Sequence, residues 1–232
     1  MIAREGYPFI LIGLVLTVLL ILLATRGNSL WLFCLSAILG LLTLFVTFFF
    51  RDPDRSFALE PGLLVSPADG KVIKVEQLAS HPFIGGPAAK ISIFLSVFDV
   101  HVNRVPASGV VNYVAYNAGE FFVAYADKAS EKNEQTEIGM TTDSGEKILF
   151  KQIAGYIARR IVCRLKEGDT VTGGQRFGMI RFGSRAELFV PASAMVLVKA
   201  GERVLGGETP LARLATKTQP LGNSAEAGTY DH

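Results

Sequence analysis

Residues 89–102 read AKISIFLSVFDVHV. Lys90 and Ser92 alternate with Ala89, Ile91 and Ile93, and further on Asp99 and His101 alternate with Val100 and Val102. A period of two sends successive side chains to opposite faces of an extended chain, so the stretch reads as one half-buried strand. Its β-branched and aromatic residues agree. The same signature recurs at residues 71–77, 109–116, 136–142, 147–153 and 157–165. Asp143-Ser144-Gly145-Glu146 reads as a hairpin turn, and residues 166–182 carry a glycine every few positions, as short strands do when they turn corners. Long amphipathic helical patterns are absent from this part. The expectation is a mainly β domain, compact and barrel- or sandwich-like.

Toward the N-terminus the pattern changes. Residues 6–25 and 27–50 carry no charge, with only Arg26 between them. Each run is long enough, at ~1.5 Å per helical residue, to cross a hydrocarbon core of ~30 Å. The first lacks a small-residue cleavage site and the second follows at once, so a membrane-embedded α-helical hairpin fits better than a signal peptide. The expected division is a membrane-anchoring hairpin over 1–52, a β-rich domain over 53–216 and a disordered polar tail over 217–232. Arg4, Arg51 and Arg55 flank the hairpin, whereas its turn carries one arginine. The positive-inside bias therefore favours a main domain on the cytoplasmic side of the cell membrane. Cys34 and Cys163 lie in apolar stretches and suggest no disulfide, in keeping with the cytoplasm. A net charge of +2 without a basic stripe excludes nucleic acid as a partner class. Residues 117–135 begin apolar and end charged, which suggests a loop or short helix near the membrane surface.

Of three histidines, His232 ends the tail and His81, before Pro82 and a glycine pair, reads as a loop residue. His101 stands two residues after Asp99. On one strand the two would be side-by-side neighbours, a carboxylate placed to fix an imidazole tautomer. Asp69, framed by Pro67 and Gly70, is a second candidate. Both have plainer readings, a structural pair at a strand end and a turn aspartate bonding its own backbone. No ligand set for a metal is recognisable. Ser184, in the stretch RFGSRAE (181–187), supplies a nucleophile, though without the glycine-serine-glycine elbow of the α/β hydrolases. Gly183 before it allows a different use. A serine hydroxyl activated by a base can attack the carbonyl of its own preceding residue, and glycine leaves that approach open. Elimination from the resulting ester and hydrolysis of the dehydroalanine leave a pyruvoyl group on the new N-terminus. Such a carbonyl can form a Schiff base with an amine and act as the electron sink for decarboxylation.

Three stretches taken together, SPADGKV (66–72), FLSVFDVHVNRVP (94–106) and FGSRAELFVP (182–191), resemble the phosphatidylserine decarboxylase family in its short, membrane-anchored form. The resemblance runs from about Arg51 to Leu211. It implies self-cleavage between Gly183 and Ser184, with Ser184 as pyruvoyl precursor and residues 184–232 as a 49-residue α chain. It implies His101 as the base, with Asp69 and Asp99 orienting it. The covalent pyruvoyl group would be the cofactor, a phospholipid in the membrane the substrate, and the protein's own α and β chains the partners; a homodimer is compatible with the sequence.

Two positions depart from the pattern. Arg104 stands where longer members carry a second histidine, and Arg185 follows the cleavage serine where threonine is better known. Arg185 could pair with an anionic group of substrate or protein. Arg104, Arg185, Phe121 and Phe122 are candidate substrate contacts; Tyr125 could join the two phenylalanines in lining a route from the bilayer, and Lys151, Arg159 and Arg160 are further cations for a phosphodiester. Residues 166–180 also resemble the strand pattern of biotinyl and lipoyl carrier modules, which keeps a membrane-anchored, non-enzymatic adaptor as an alternative, beside a tethered serine hydrolase.

Overall fold

The computed structural model describes residues 1–57, 60–119, 133–155, 161–181 and 184–215. A 3₁₀ turn at Arg4–Gly6 leads into α1 (Tyr7–Gly27), and α2 (Leu30–Phe49) returns antiparallel to it. Asn28, in the left-handed conformation at φ 47°, makes the reversal, a conformation asparagine tolerates better than most residues. Leu11, Val18, Leu22, Leu41 and Leu44 are among many large apolar side chains left exposed along both helices. That is the surface a lipid environment selects, and each helix is long and apolar enough to cross one. The hydroxyls of Thr17 and Thr43 bond back to Gly13 O and Leu39 O, so neither is unsatisfied among hydrocarbon. A Cβ at Gly13 would lie 2.5 Å from Thr43 Oγ1; glycine is what lets the helices approach there.

Among the described residues fourteen strands follow: β1 (Leu63–Val65), β2 (Gly70–His81), β3 (Gly86–Leu95), β4 (Val102–Arg104), β5 (Gly109–Asn117), β6 (Gln135–Thr142), β7 (Lys147–Ile153), β8 (Ile161–Cys163), β9 (Thr170–Val171), β10 (Arg176–Ile180), β11 (Ser184–Pro191), β12 (Met195–Val196), β13 (Arg203–Val204) and β14 (Pro210–Arg213). Eight of them form one antiparallel sheet in the order β13-β2-β3-β11-β7-β6-β5-β9. It curls around a core to which Val72, Ile91, Ile138, Phe150 and Leu188 contribute. The small sheets β1-β14-β12 and β4-β10-β8 complete the domain. The mainly β expectation and the helical hairpin are both present.

Two local expectations are corrected. Residues 89–102 are not one strand: β3 ends at Leu95, a turn occupies 96–99, and β4 begins at Val102 in a different sheet. Asp99 is the cause, since its Oδ2 accepts from both the N–H and the hydroxyl of Ser96 at 2.8 Å, a local bond that competes with the ladder. His81 is not in a loop but ends β2, its ring 4.7 Å from that of Phe189. The expected tail over 217–232 and residues 120–132, most of the suggested surface loop, lie outside the described residues.

The hairpin does not hang off this domain. Phe49 and Phe50, at the end of α2, are buried with Ala3, Val100, Val102 and Met179 in a second apolar cluster.

Candidate active site

Three segments meet at one end of the large sheet. Ala68, Leu95 and Ala186 form a small buried cluster that ties the turn carrying Asp69, the end of β3 and the start of β11 together. Ser184, the first residue of β11, pairs with Leu95. Ile180, four residues earlier, donates its N–H to His101 O at 3.3 Å. The chain on both sides of the 181–183 connection is therefore fastened to the segment 95–101.

His101 is fully buried. Its Nδ1 lies 2.9 Å from the main-chain oxygen of Asp99. A carbonyl can only accept, so Nδ1 carries the proton and Nε2 presents a lone pair. Burial pushes the imidazole down to about 4, against a smaller upward pull from the Asp99 carbonyl and charge. At neutral pH the ring is uncharged. Nε2 and Ser184 Oγ are both buried without a hydrogen-bond partner among the described residues. A nucleophile and an unprotonated base, each kept from water with its polar atom unspent, are the groups a self-processing serine requires.

The acidic residues act less directly than the strand reading implies. The Asp99 carboxylate holds the 96–99 turn and meets Arg203 Nη1 at 3.0 Å; because the turn replaces the strand, Asp99 reaches His101 through its main chain and its field. Asp69 accepts from Gly206 N–H at 2.7 Å and from Arg55 Nη2 at 2.8 Å. Burial pushes its carboxyl up, while Gly206 N–H and Arg55 pull it down. Gly70 beside it has φ 156°, and a Cβ there would fall 2.2 Å from Phe94 O, so only glycine lets the Asp69 turn sit against β3.

The expected cationic substrate contacts are engaged by the protein itself. Arg104 is buried between Asp52 (3.2 Å), Pro53 O (2.8 Å) and Gly174 O (3.1 Å). Arg185, also buried, meets Glu187 Oε1 and Ser92 Oγ at 2.9 Å, so a protein anion is the partner it finds. Lys151 pairs with Glu137. Gly183, Phe121, Phe122, Tyr125, Arg159 and Arg160 lie outside the described residues.

Two groups escaped the sequence reading. The ring of Phe49 lies 4.3 Å from that of His101, so the second apolar helix ends against the base. Arg51 donates to Phe98 O (2.6 Å) and Phe48 O (3.0 Å), within electrostatic reach of Asp69, Asp99 and His101. The only signal for either was position at the end of the hydrophobic run.

A buried serine and a neutral histidine at the foot of an apolar helical hairpin, on a curled β sheet, define a mainly β protein with a candidate nucleophilic centre, its hairpin consistent with membrane anchoring. Comparison with known proteins narrows this. The sequence model of the phosphatidylserine decarboxylase family matches residues 42–212. The chain is 49% identical to the phosphatidylserine decarboxylase proenzyme of Syntrophus aciditrophicus, over 90% of this chain and 96% of that one. It is 47% identical to the proenzyme of Symbiobacterium thermophilum, over 92% and 95%, and 50% identical to that of Salinibacter ruber, over 79% and 82%. The chain belongs to the phosphatidylserine decarboxylase family. The adaptor and hydrolase alternatives give way to this finding.

Proposed function

We propose that the chain is a zymogen that cleaves itself between Gly183 and Ser184 and then, as a carboxy-lyase, converts phosphatidylserine to phosphatidylethanolamine. The observation that carries the cleavage is the pair of buried, unpartnered atoms, Ser184 Oγ and the unprotonated Nε2 of His101. His101 takes the proton of Ser184 Oγ as the oxygen attacks the Gly183 carbonyl, and the peptide becomes an ester with a free Ser184 nitrogen. Loss of the α-proton expels the Gly183 carboxylate from the β-carbon; water then replaces the nitrogen, which departs as ammonia, and leaves the pyruvoyl group on residue 184. That group supplies an electron-poor carbonyl that takes the substrate amine and receives the electron pair left behind by carbon dioxide.

Asp99 supports the reaction by fixing the tautomer of His101 and the turn that carries it, Asp69 by holding the 66–69 turn to Gly206 and Arg55. Phe49 keeps water from the imidazole. Residues 1–52 anchor the enzyme, 53–216 carry the chemistry, and the arginines flanking the hairpin support a cytoplasmic active site.

Intact mass under denaturing conditions tests the cleavage. Wild type separates into a 183-residue β chain and a 49-residue α chain blocked by a pyruvoyl group. Ser184→Ala stays one inactive chain, and His101→Ala matures at least ~100-fold more slowly. A cleaved, active product from either variant overturns the assignment.

A further inference from the structure

Gln152 is the one polar residue in a row that otherwise builds the core. On β7, Ile148, Phe150 and Gln152 face the same side, and the first two belong to the main apolar cluster. Gln152 is 1% exposed. An amide there costs free energy unless its groups are satisfied, and leucine would fill the position without that cost.

The fold goes to some length to hold this amide. Nε2 donates to Asn103 Oδ1 at 2.9 Å and to Val162 O at 3.2 Å. Asn103 in turn bonds Pro67 O through its Nδ2, at 3.4 Å, in the turn that carries Asp69. Gly178 makes the room: a Cβ there would lie 2.8 Å from Gln152 Nε2. Since Val162 O can only accept, the NH₂ group must face it, and Oε1 is directed elsewhere. Oε1 is buried and has no partner among the described residues.

The register says where this acceptor lies. Gln152 stands directly opposite Ala186 on β11, on the same face, and Ser184 is two residues further along that face. Ala186 presents only a methyl group. Asn103, which fixes the amide, is two residues from His101. Three buried atoms without partners, Ser184 Oγ, His101 Nε2 and Gln152 Oε1, thus belong to one end of the sheet.

We infer that Gln152 Oε1 is the acceptor for the amino group of the substrate headgroup, and so selects lipids with a primary amine. Ser184 is already in place in the precursor and Oε1 bonds none of the described residues, so this acceptor is open to a donor from outside the chain. The amine of a serine headgroup is a donor that must come to residue 184. This inference rests on the proposed self-cleavage and substrate.

The test compares wild type with Gln152→Met, similar in volume but without the acceptor, in mixed micelles. Intact mass is expected to show both fully cleaved with the same α chain. For phosphatidylserine, kcat/KM falls at least tenfold in the variant, about the effect of losing one hydrogen bond to a charged group. Trapping of the product amine, phosphatidylethanolamine, on the α chain by cyanoborohydride half-saturates at a concentration higher by a similar factor. A lipid whose headgroup is 3-hydroxypropionate, lacking only the amine, inhibits both enzymes within twofold. Gln152→Leu replaces Met if that variant does not fold. The inference is overturned by kcat/KM within twofold of wild type, by equal loss toward the amine-free lipid, or by a Gln152→Met chain that stays uncleaved. An uncleaved wild type instead overturns the self-cleavage itself, and is read from its own mass.

Discussion

The proposed base, His101, owes its uncharged state to where its neighbours end, not to a carboxylate at its side. The Asp99 carbonyl claims Nδ1, burial removes water from the ring, and the ring is held near a pKa of about 4. The sign of the pH effect follows. Above that value Nε2 is unprotonated and can take the Ser184 proton; below it the base is occupied. Maturation should therefore proceed at an almost constant rate from pH 7 to about 5 and fall tenfold per unit below about 4. An ordinary histidine would give the same fall near 6.5. Quenched-flow or gel timing of cleavage after a pH jump, with unprocessed chain as the starting state, distinguishes the two; a midpoint near 6.5 would mean that the ring is solvated. Asp69, His101 and Ser184 stand out as candidates in the sequence, because turn residues, a lone internal histidine and a Gly-Ser pair are visible in a string of letters. The route by which Asp99 acts was not, since the same letters fit a strand with the two side chains adjacent and a turn with the contact through the main chain.

Elements were legible where periodicity is long. Residues 147–153 fold as the strand their alternation predicts, and the hairpin helices follow from length and hydropathy. What the pattern hid is that the end of α2 is part of the site. Phe48, Phe49 and Phe50 read as the close of a hydrophobic run, yet Phe49 is fully buried against His101 and Phe50 packs into the same cluster. No periodicity encodes a contact between residues 52 positions apart in sequence. Phe49→Ala should open the imidazole to water as well as remove about 3 kcal/mol of packing. With desolvation relieved, the pKa of His101 moves up from about 4 toward 6.5. The acid limb of the maturation profile moves up with it, while Phe49→Leu keeps most of the cover and stays nearer wild type. Equal profiles for wild type and Phe49→Ala would show that α2 only tethers.

At the scale of the whole molecule, the question is what keeps the apolar hairpin and the β domain in one fixed relation. Apolar packing around Phe49 and Phe50 is one part. The other is a set of ion pairs across the linker: Asp52 with Arg104 and Arg176, Arg55 with Asp69 and Glu208, Glu5 with Arg164. These join residues 14 to 159 positions apart, which is why the two arginines that matter most, Arg55 and Arg104, carried no such meaning in the sequence. The pairs are unequal. Arg176 and Arg164 are substantially exposed, and screening leaves them little net value. Asp52 and Arg104 are nearly buried, with side chains 10% and 7% exposed. Removing one partner strands the other. Burial already pushes the Arg104 guanidinium down, and Asp52 is the nearest charge that opposes the shift. Asp52→Ala should therefore cost about 3 kcal/mol, as expected when one half of a buried pair is lost. The urea midpoint of the detergent-solubilised Ser184→Ala chain, with and without Asp52→Ala, measures it on unprocessed protein. Because the pair is shielded from solvent, the loss should persist at about 1 M salt, where exposed pairs are screened within ~3 Å. A loss below about 1 kcal/mol, or one that disappears with salt, would reduce Asp52 to a surface contact. The relation of anchor to active site would then rest on the phenylalanines alone.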